Sequence, residues 1–205
     1  GHLFKNIGDN NFIEEKSKSF DKLGLITDAK WVDLNDDKLM DLVIVGEWMP
    51  ISIFSNQGGK FYNITPSLDL DDSNGFWNTI EKADVDGDGD QDLFAGGYSR
   101  GSRLDESLTP IDSPLGRLAW FENPGADSQL GRDWARHDVS RRKRGMFDQF
   151  IARDLDGDGD MDLLSTRGNS APYDGVFWLE QVRTAKPTPR FKAARSLESE
   201  EVGLP

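Results

Sequence analysis

The sequence predicts an all-β protein built from repeated four-stranded antiparallel units, and three observations carry that expectation. A nine-residue acidic segment recurs at 33–41, 84–92 and 154–162. Each copy runs directly into a short apolar stretch, at 42–45, 93–95 and 163–165, with the length and composition of a buried strand. A second pattern interleaves with the first: an apolar strand, an Asn/Gly turn and a returning strand. It occurs at 3–12, 53–61 and 118–134, and a fourth relative runs from Val176 through a Pro-containing stretch to Phe191. Strand, acidic loop, strand and hairpin give four strands per unit, and units of roughly fifty to seventy residues are those of β-propeller blades.

Taken in order, the units are a partial blade at 1–26, a blade at 27–73, a blade at 74–139 with a loop insertion at 99–116, and a blade at 140–205. The Ser, Pro and Gly content of the insertion marks it as a loop. About three and a half blades are visible, fewer than the four to eight of a closed ring. The expectation is therefore a partial propeller, completed by further blades of a longer chain or by self-association.

The acidic segments place oxygen-bearing groups at alternate positions 1, 3, 5, 7 and 9. These are Asp33, Asn35, Asp37, Leu39 and Asp41 in the first, Asp84, Asp86, Asp88, Asp90 and Asp92 in the second, and Asp154, Asp156, Asp158, Asp160 and Asp162 in the third. Such a set suits a hard cation that takes six to eight oxygens at roughly 2.3–2.6 Å, and Ca2+ is the natural choice. Glycine at position 6, Gly89 and Gly159, allows the sharp turn that lets the carboxylates converge. An EF-hand loop begins the same way but needs a Glu at position 12 and a helix after it. Position 12 here is Ile44, Ala95 or Ser165, so the loop belongs between strands. A solvated Asp-Gly hairpin turn is the simpler alternative, but turn chemistry does not demand Asp at five alternating positions. The first loop, with Asn35 for Asp and Lys38 for glycine, is expected to be the weakest of three sites.

The formal net charge is −13, and the three segments hold fourteen aspartates, enough to account for the whole acidic excess. That balance argues against nucleic acid as the main partner. The chain has no cysteine, which removes disulfides, zinc–thiolate sites and thiol nucleophiles. No stretch is long and apolar enough for a membrane span, and no signal peptide opens the chain, so one is expected upstream. Calcium at extracellular concentration fills sites of modest affinity, which places the protein outside the cell or in a periplasm. Residues 1–99 contain eight Lys and no Arg, whereas 100–205 contain three Lys and thirteen Arg. Joined repeat lineages or an Arg-rich functional face would each produce that break.

The loops and their following strands resemble the FG-GAP/VCBS repeats of calcium-loop β-propellers, which also occur in integrin α-chain heads. Residues 1–98, with Trp31-Val-Asp, Val45-Gly-Glu-Trp-Met-Pro50 and Gly75-Phe-Trp77, resemble the repeat regions of large secreted bacterial proteins. The second half, with Arg144-Gly-Met-Phe147 and Thr166-Arg-Gly-Asn169, resembles another branch of the same family. The resemblance implies structural calcium, most often seven blades, and roles in adhesion, in carbohydrate recognition or beside a catalytic domain. It also implies side-chain ligation by Asp33, Asn35, Asp37 and Asp41, by Asp84, Asp86, Asp88 and Asp92, and by Asp154, Asp156, Asp158 and Asp162. Leu39, Asp90 and Asp160 would contribute their carbonyls.

The expected function is non-catalytic binding of a glycan or protein. The loop after the third acidic segment, with Arg167, Asn169, Tyr173 and Asp174, is the main candidate ligand site, because it combines a planar cation, an amide, a ring and an acid. Trp77, Trp120, Trp178, Tyr98 and Tyr173 are candidates for sugar stacking, although blade cores also consume large aromatics. A lyase-like polysaccharide enzyme using His137, Asp138, Tyr98 and Arg100 is the alternative. A self-assembling surface protein that exploits open sheet edges is the third. The basic run 141–144 is a solvated connector or an anionic-polymer patch, and Asn63-Ile-Thr65 fits a glycosylation sequon.

Overall fold

The computed structural model describes residues 2–100, 118–125, 134–140, 144–168 and 175–182. Strands β1 (Leu3–Gly8) and β2 (Asn11–Glu15) form an N-terminal hairpin. They are followed by β3 (Leu25–Val32), β4 (Asp41–Met49), β5 (Ser52–Gln57) and β6 (Lys60–Asn63), paired antiparallel in that order. A second meander joins β7 (Gly75–Ala83), β8 (Asp92–Arg100), β9 (Leu118–Glu122) and β10 (Ala135–Ser140). The third joins β11 (Arg144–Arg153), β12 (Asp162–Gly168) and β13 (Gly175–Leu179). Among the described residues the only helical pieces are two short 3-10 turns, Lys18–Phe20 and Thr65–Leu68. The protein is therefore all-β and antiparallel, and the described strands do not close into a ring. No helix of the described residues is long and apolar enough to cross a membrane.

The apolar runs of β4 and β8 are not half-buried strands, because both of their faces are covered. Side chains alternate across a strand, and here each side meets a different neighbour. Leu42 and Ile44 of β4 pack with Phe20, Met49 and Phe54, next to the hairpin, whereas Val43 and Val45 pack with Trp77, Ile80 and Leu93 of the next unit. In β8, Leu93 and Ala95 join that same central cluster, while Phe94 turns to Phe147, Phe150 and Leu163. The residue just after each acidic segment thus faces the preceding unit, and the next residue faces the following one. On the third unit that following-unit face carries Leu164 with its cross-strand neighbours Ile151 and Trp178, and Val176 beside them. Ile151, Val176 and Trp178 are exposed.

Consecutive units are also stitched along their first strands. Each of β3, β7 and β11 has a register shift, at Ile26/Asp28, Trp77/Thr79 and Phe147/Phe150. A bulge bends a strand and re-aims its side chains. At the first one, Asp28 Oδ2 accepts from Thr79 Oγ1 (3.1 Å) and Ile80 N (3.0 Å), and Thr27 Oγ1 donates to Trp77 O at 2.5 Å. Opposite the first two bulges stand Gly46 and Gly97, where a Cβ would collide with the carbonyls of Leu25 and Phe76.

Two adjacent residues therefore stabilise different junctions. Leu93→Ala should speed amide exchange in β4 and β5, and Phe94→Ala in β11 and β12, each with a loss of about 2–5 kcal/mol. Hydrogen-exchange mass spectrometry on both variants reads the difference; the same exchange pattern from both would show that the faces are not separate.

Candidate metal centre

The acidic segments fall between β3 and β4, β7 and β8, and β11 and β12. Their carboxylates are arranged by the backbone that carries them. In the second loop, Asp84 Oδ1 accepts from Gly87 N (2.6 Å), Asp86 Oδ1 from Asp88 N (3.0 Å) and Asp88 Oδ1 from Asp90 N (2.9 Å). The third repeats this with Asp154 to Gly157 (2.6 Å), Asp156 to Asp158 (3.2 Å) and Asp158 to Asp160 (3.1 Å). Short side chains that accept from backbone N–H a few residues on are the local turn chemistry of Asp. Because those turns fix the carboxylates, Asp84, Asp86 and Asp88 bring ligand oxygens within 4.8 Å of one another, as do Asp154, Asp156 and Asp158.

The turns require left-handed backbone, with φ of 79° and 102° at Gly87 and Gly89 and 85° and 96° at Gly157 and Gly159. In the first loop, Asp36 and Lys38 take the same conformation at 57° and 67°. The lysine does not abolish the turn: Lys38 N donates to Asp33 Oδ2 at 2.8 Å, matching Gly159 N to Asp154 Oδ2 at 3.1 Å. The Cβ instead costs on the order of 1–2 kcal/mol. At positions 1, 3 and 5 the first loop offers two carboxylates, Asp33 and Asp37, with the Asn35 amide between them, and Asn35 Oδ1 accepts from Asp37 N at 3.1 Å.

Position 9 has a second task that spacing alone does not disclose. Asp41, Asp92 and Asp162 are buried, at 1 %, 0 % and 1 % exposure. One oxygen of each accepts from the position-2 N–H of its own loop: Leu34 (3.3 Å), Val85 (2.8 Å) and Leu155 (3.1 Å). The other accepts from a backbone N–H after the unit's third-strand core: Asn56 (2.8 Å), Asn123 (2.8 Å) and Gln181 (3.0 Å). Each position-9 carboxylate thus closes its loop and fastens it to the hairpin. Of the position-7 residues, Leu39 is exposed, Asp90 is half-buried against Gly125, where a Cβ would strike its carboxylate, and Asp160 is buried.

The amides of those hairpin residues extend the network. Asn56 Nδ2 donates to Met40 O (3.0 Å), and Asn123 Nδ2 to the equivalent Gln91 O (3.1 Å). Asn123 Nδ2 also donates to Leu34 O of the preceding loop (3.0 Å), and Gln181 Nε2 donates to the matching Val85 O. As sequence, Asn56 and Asn123 are turn residues of the hairpin pattern. Their recurrence at one register, with Gln181, was the available signal for this role.

Burial dominates the electrostatics. It pushes the Asp92 carboxyl up to about 6, against the opposing hydrogen bonds from Asn123 and Val85 and with reinforcement from Asp86 and Asp88. Burial likewise raises Asp41 and Asp86, the latter with added repulsion from Asp88 and Glu122. A bound cation favours the ionised forms and opposes these shifts.

Other candidates separate. Arg167 lies on β12 with its guanidinium 5.3 Å over the Phe177 ring, whereas Asn169, Tyr173 and Asp174 lie outside the described residues, as does 141–143 of the basic run. Trp77 is fully buried and donates Nε1–H to Ser73 O, so it is core and offers no stacking surface. Trp120 is partly buried and stacks on His137 at 4.2 Å, while Trp178 is exposed. The structure does not join His137 to Asp138: His137 Nε2 meets Glu122 at 2.6 Å, and Asp138 pairs in the interior with Arg136 at 3.1 Å.

These features define an all-β repeat protein with an acidic turn between the first two strands of each unit. Residues 33–95 match the family model of the FG-GAP-like repeat, a span from the first residue of loop one into β8. The match covers the first two acidic loops and supports the resemblance that their motifs carry. No curated protein matches the chain.

The raised carboxyl fixes a sign. Asp92 has a folded value of about 6 against 3.8 for the ordinary group, so its ionisation disfavours the fold above that range. Protonation relieves this as pH falls from 7 to 4. In chelator, the stability of the wild type relative to Asp92→Asn should therefore rise as pH falls across that window; in excess calcium the trend should reverse. Urea denaturation at each pH measures it.

Proposed function

We propose that the chain is a calcium-stabilised repeat module that works outside the cell as a binding surface for a glycan or protein, and not as an enzyme. The observation that carries this is the pair of carboxylate triads, Asp84/Asp86/Asp88 and Asp154/Asp156/Asp158, held convergent by their own backbone turns inside an FG-GAP-like repeat architecture. The donor set is all oxygen, which fits Ca2+ and disfavours soft metals. Asp90 and Asp160 would add carbonyls, and Asp92 and Asp162 retain free lone pairs beyond those used on backbone N–H groups. Asp33, Asn35, Asp37, Leu39 and Asp41 would form the weakest site. When bound, the cation supplies the charge that balances clustered carboxylates. The units are then blades of a propeller whose remaining part is contributed by further repeats.

A self-assembling surface role is the second reading, favoured by the exposed Ile151, Val176 and Trp178 beside Leu164 on the third unit. A strict monomer in light scattering would exclude it. Turnover of any polysaccharide, followed by reducing ends or unsaturated-uronate absorbance, would overturn the non-catalytic reading.

A ligand bound by the folded state alone raises stability by about 2.7 kcal/mol at a hundredfold excess over Kd. Calcium should therefore raise Tm and chelator lower it in thermal melts. Asp88→Ala and Asp158→Ala should each remove more of that increment than Asp37→Ala. An unchanged Tm in excess chelator sinks the calcium reading.

A further inference from the structure

A cleft of about 330 Å³ opens between the N-terminal hairpin and the first four-stranded unit, away from the sequence of any acidic loop. One wall is the stretch from Glu15 to Ser19 and the other the stretch from Gly59 to Tyr62. Three lysines line it, Lys16, Lys18 and Lys60, out of eight in residues 1–99. All three are exposed, and among the described residues none makes an ion pair, although Glu15 shares the cleft. Three ammonium groups against one carboxylate leave a local positive excess in a chain whose formal charge is −13. Like charges held together repel unless an anion sits among them.

The cleft is built rather than incidental to a mobile turn. Ser19 Oγ of one wall donates to Phe61 O of the other at 2.7 Å, and Ser17 Oγ accepts from Ser19 N at 3.2 Å. Behind them Phe20 is buried against Phe54 and Phe61, with ring centroids 5.1 and 5.8 Å away. The opposite wall is set by the glycine turn at 58–59, pinned by Gly59 N to Asn56 Oδ1 at 2.8 Å. Flat apolar surface borders the cations: Tyr62 is 47 % exposed, and Trp31, 46 % exposed, leans on Phe61 at 5.6 Å.

We propose that this cleft binds an acidic oligosaccharide whose carboxylate or sulfate groups sit against Lys16, Lys18 and Lys60 while a sugar ring lies toward Tyr62. Ammonium groups are point-charge donors without a required fork geometry, which suits carboxylates and sulfates carried at varied angles on a ring. Hydroxyls of Ser17 and Tyr62 match sugar hydroxyls, and an aromatic face covers the apolar side of a pyranose. An acidic peptide would satisfy the lysines but would leave those rings and hydroxyls without a matching surface. A volume near the lower limit for ligand sites fits one or two rings, with the rest of a chain running on over the surface. This rests on the reading of the protein as a binding module, and is independent of what fills the acidic loops.

The test uses the full chain and four probes: oligogalacturonate, chondroitin sulfate, neutral dextran and poly-glutamate, with binding followed by calorimetry. The two acidic saccharides should bind and dextran should not. Lys18→Ala/Lys60→Ala should weaken them about tenfold, the worth of two partly screened charge contacts. A control pair outside the cleft, Lys5→Ala/Lys22→Ala, should leave affinity unchanged, and added salt should reduce it. Equal loss in both lysine pairs, absence of saccharide binding, or tighter binding of poly-glutamate would each overturn the proposal. Galacturonate binding that is lost in Asp88→Ala but kept in the cleft variant would also overturn it, since the saccharide would then be bridged through a loop cation. Failure of the calcium reading shows separately, as a Tm unmoved by chelator.

Discussion

Everything in this architecture turns on one buried carboxylate per unit. Asp41, Asp92 and Asp162 each accept a backbone N–H from the start of their own loop and another from the hairpin that follows. Hydrogen bonds to a charged group are worth about 1.5–3 kcal/mol, but burying that charge without full compensation costs more than burying an amide. The raised Asp92 and Asp41 values are the sign of that tension. The acidic turns stand beside these buried carboxylates, so a cation bound at a turn would favour their ionised form and steady the clamp beneath it.

The second constraint is that β4 and β8 each serve two interfaces at once. Leu93 and Phe94 are neighbours in the chain yet belong to different cores. A sheet buried on both faces cannot carry the polar alternation of a half-exposed one. This explains why the stretches after the loops are continuous apolar runs, and why glycine is required at Gly46 and Gly97, where bulged first strands press their carbonyls against the second.

The strand–loop–strand order and the N-terminal, β5–β6 and β9–β10 hairpins were legible in the sequence, because turn chemistry and apolar length are local signals. The convergence of Asp84, Asp86 and Asp88 was legible for the same reason. Trp77 was not: an aromatic in a Gly-Phe-Trp run looks alike whether it stacks on a ligand or, as here, donates to Ser73 O in the interior. Lys38 marks a departure that the backbone absorbs at a cost, which no residue pattern quantifies. The lysine cleft escaped entirely, since it joins residues some forty positions apart through Ser19 and Phe61. Of the loop with Arg167, Asn169, Tyr173 and Asp174, only Arg167 falls in the described residues.

The amide link from each hairpin to the loop before it gives the array a direction. Asn123 holds Leu34 O, and Gln181 holds Val85 O, so the second and third units each grip their predecessor at the position-2 carbonyl of its acidic loop. The repeat that shapes each acidic loop thereby also supplies the carbonyl by which the next unit is held to it.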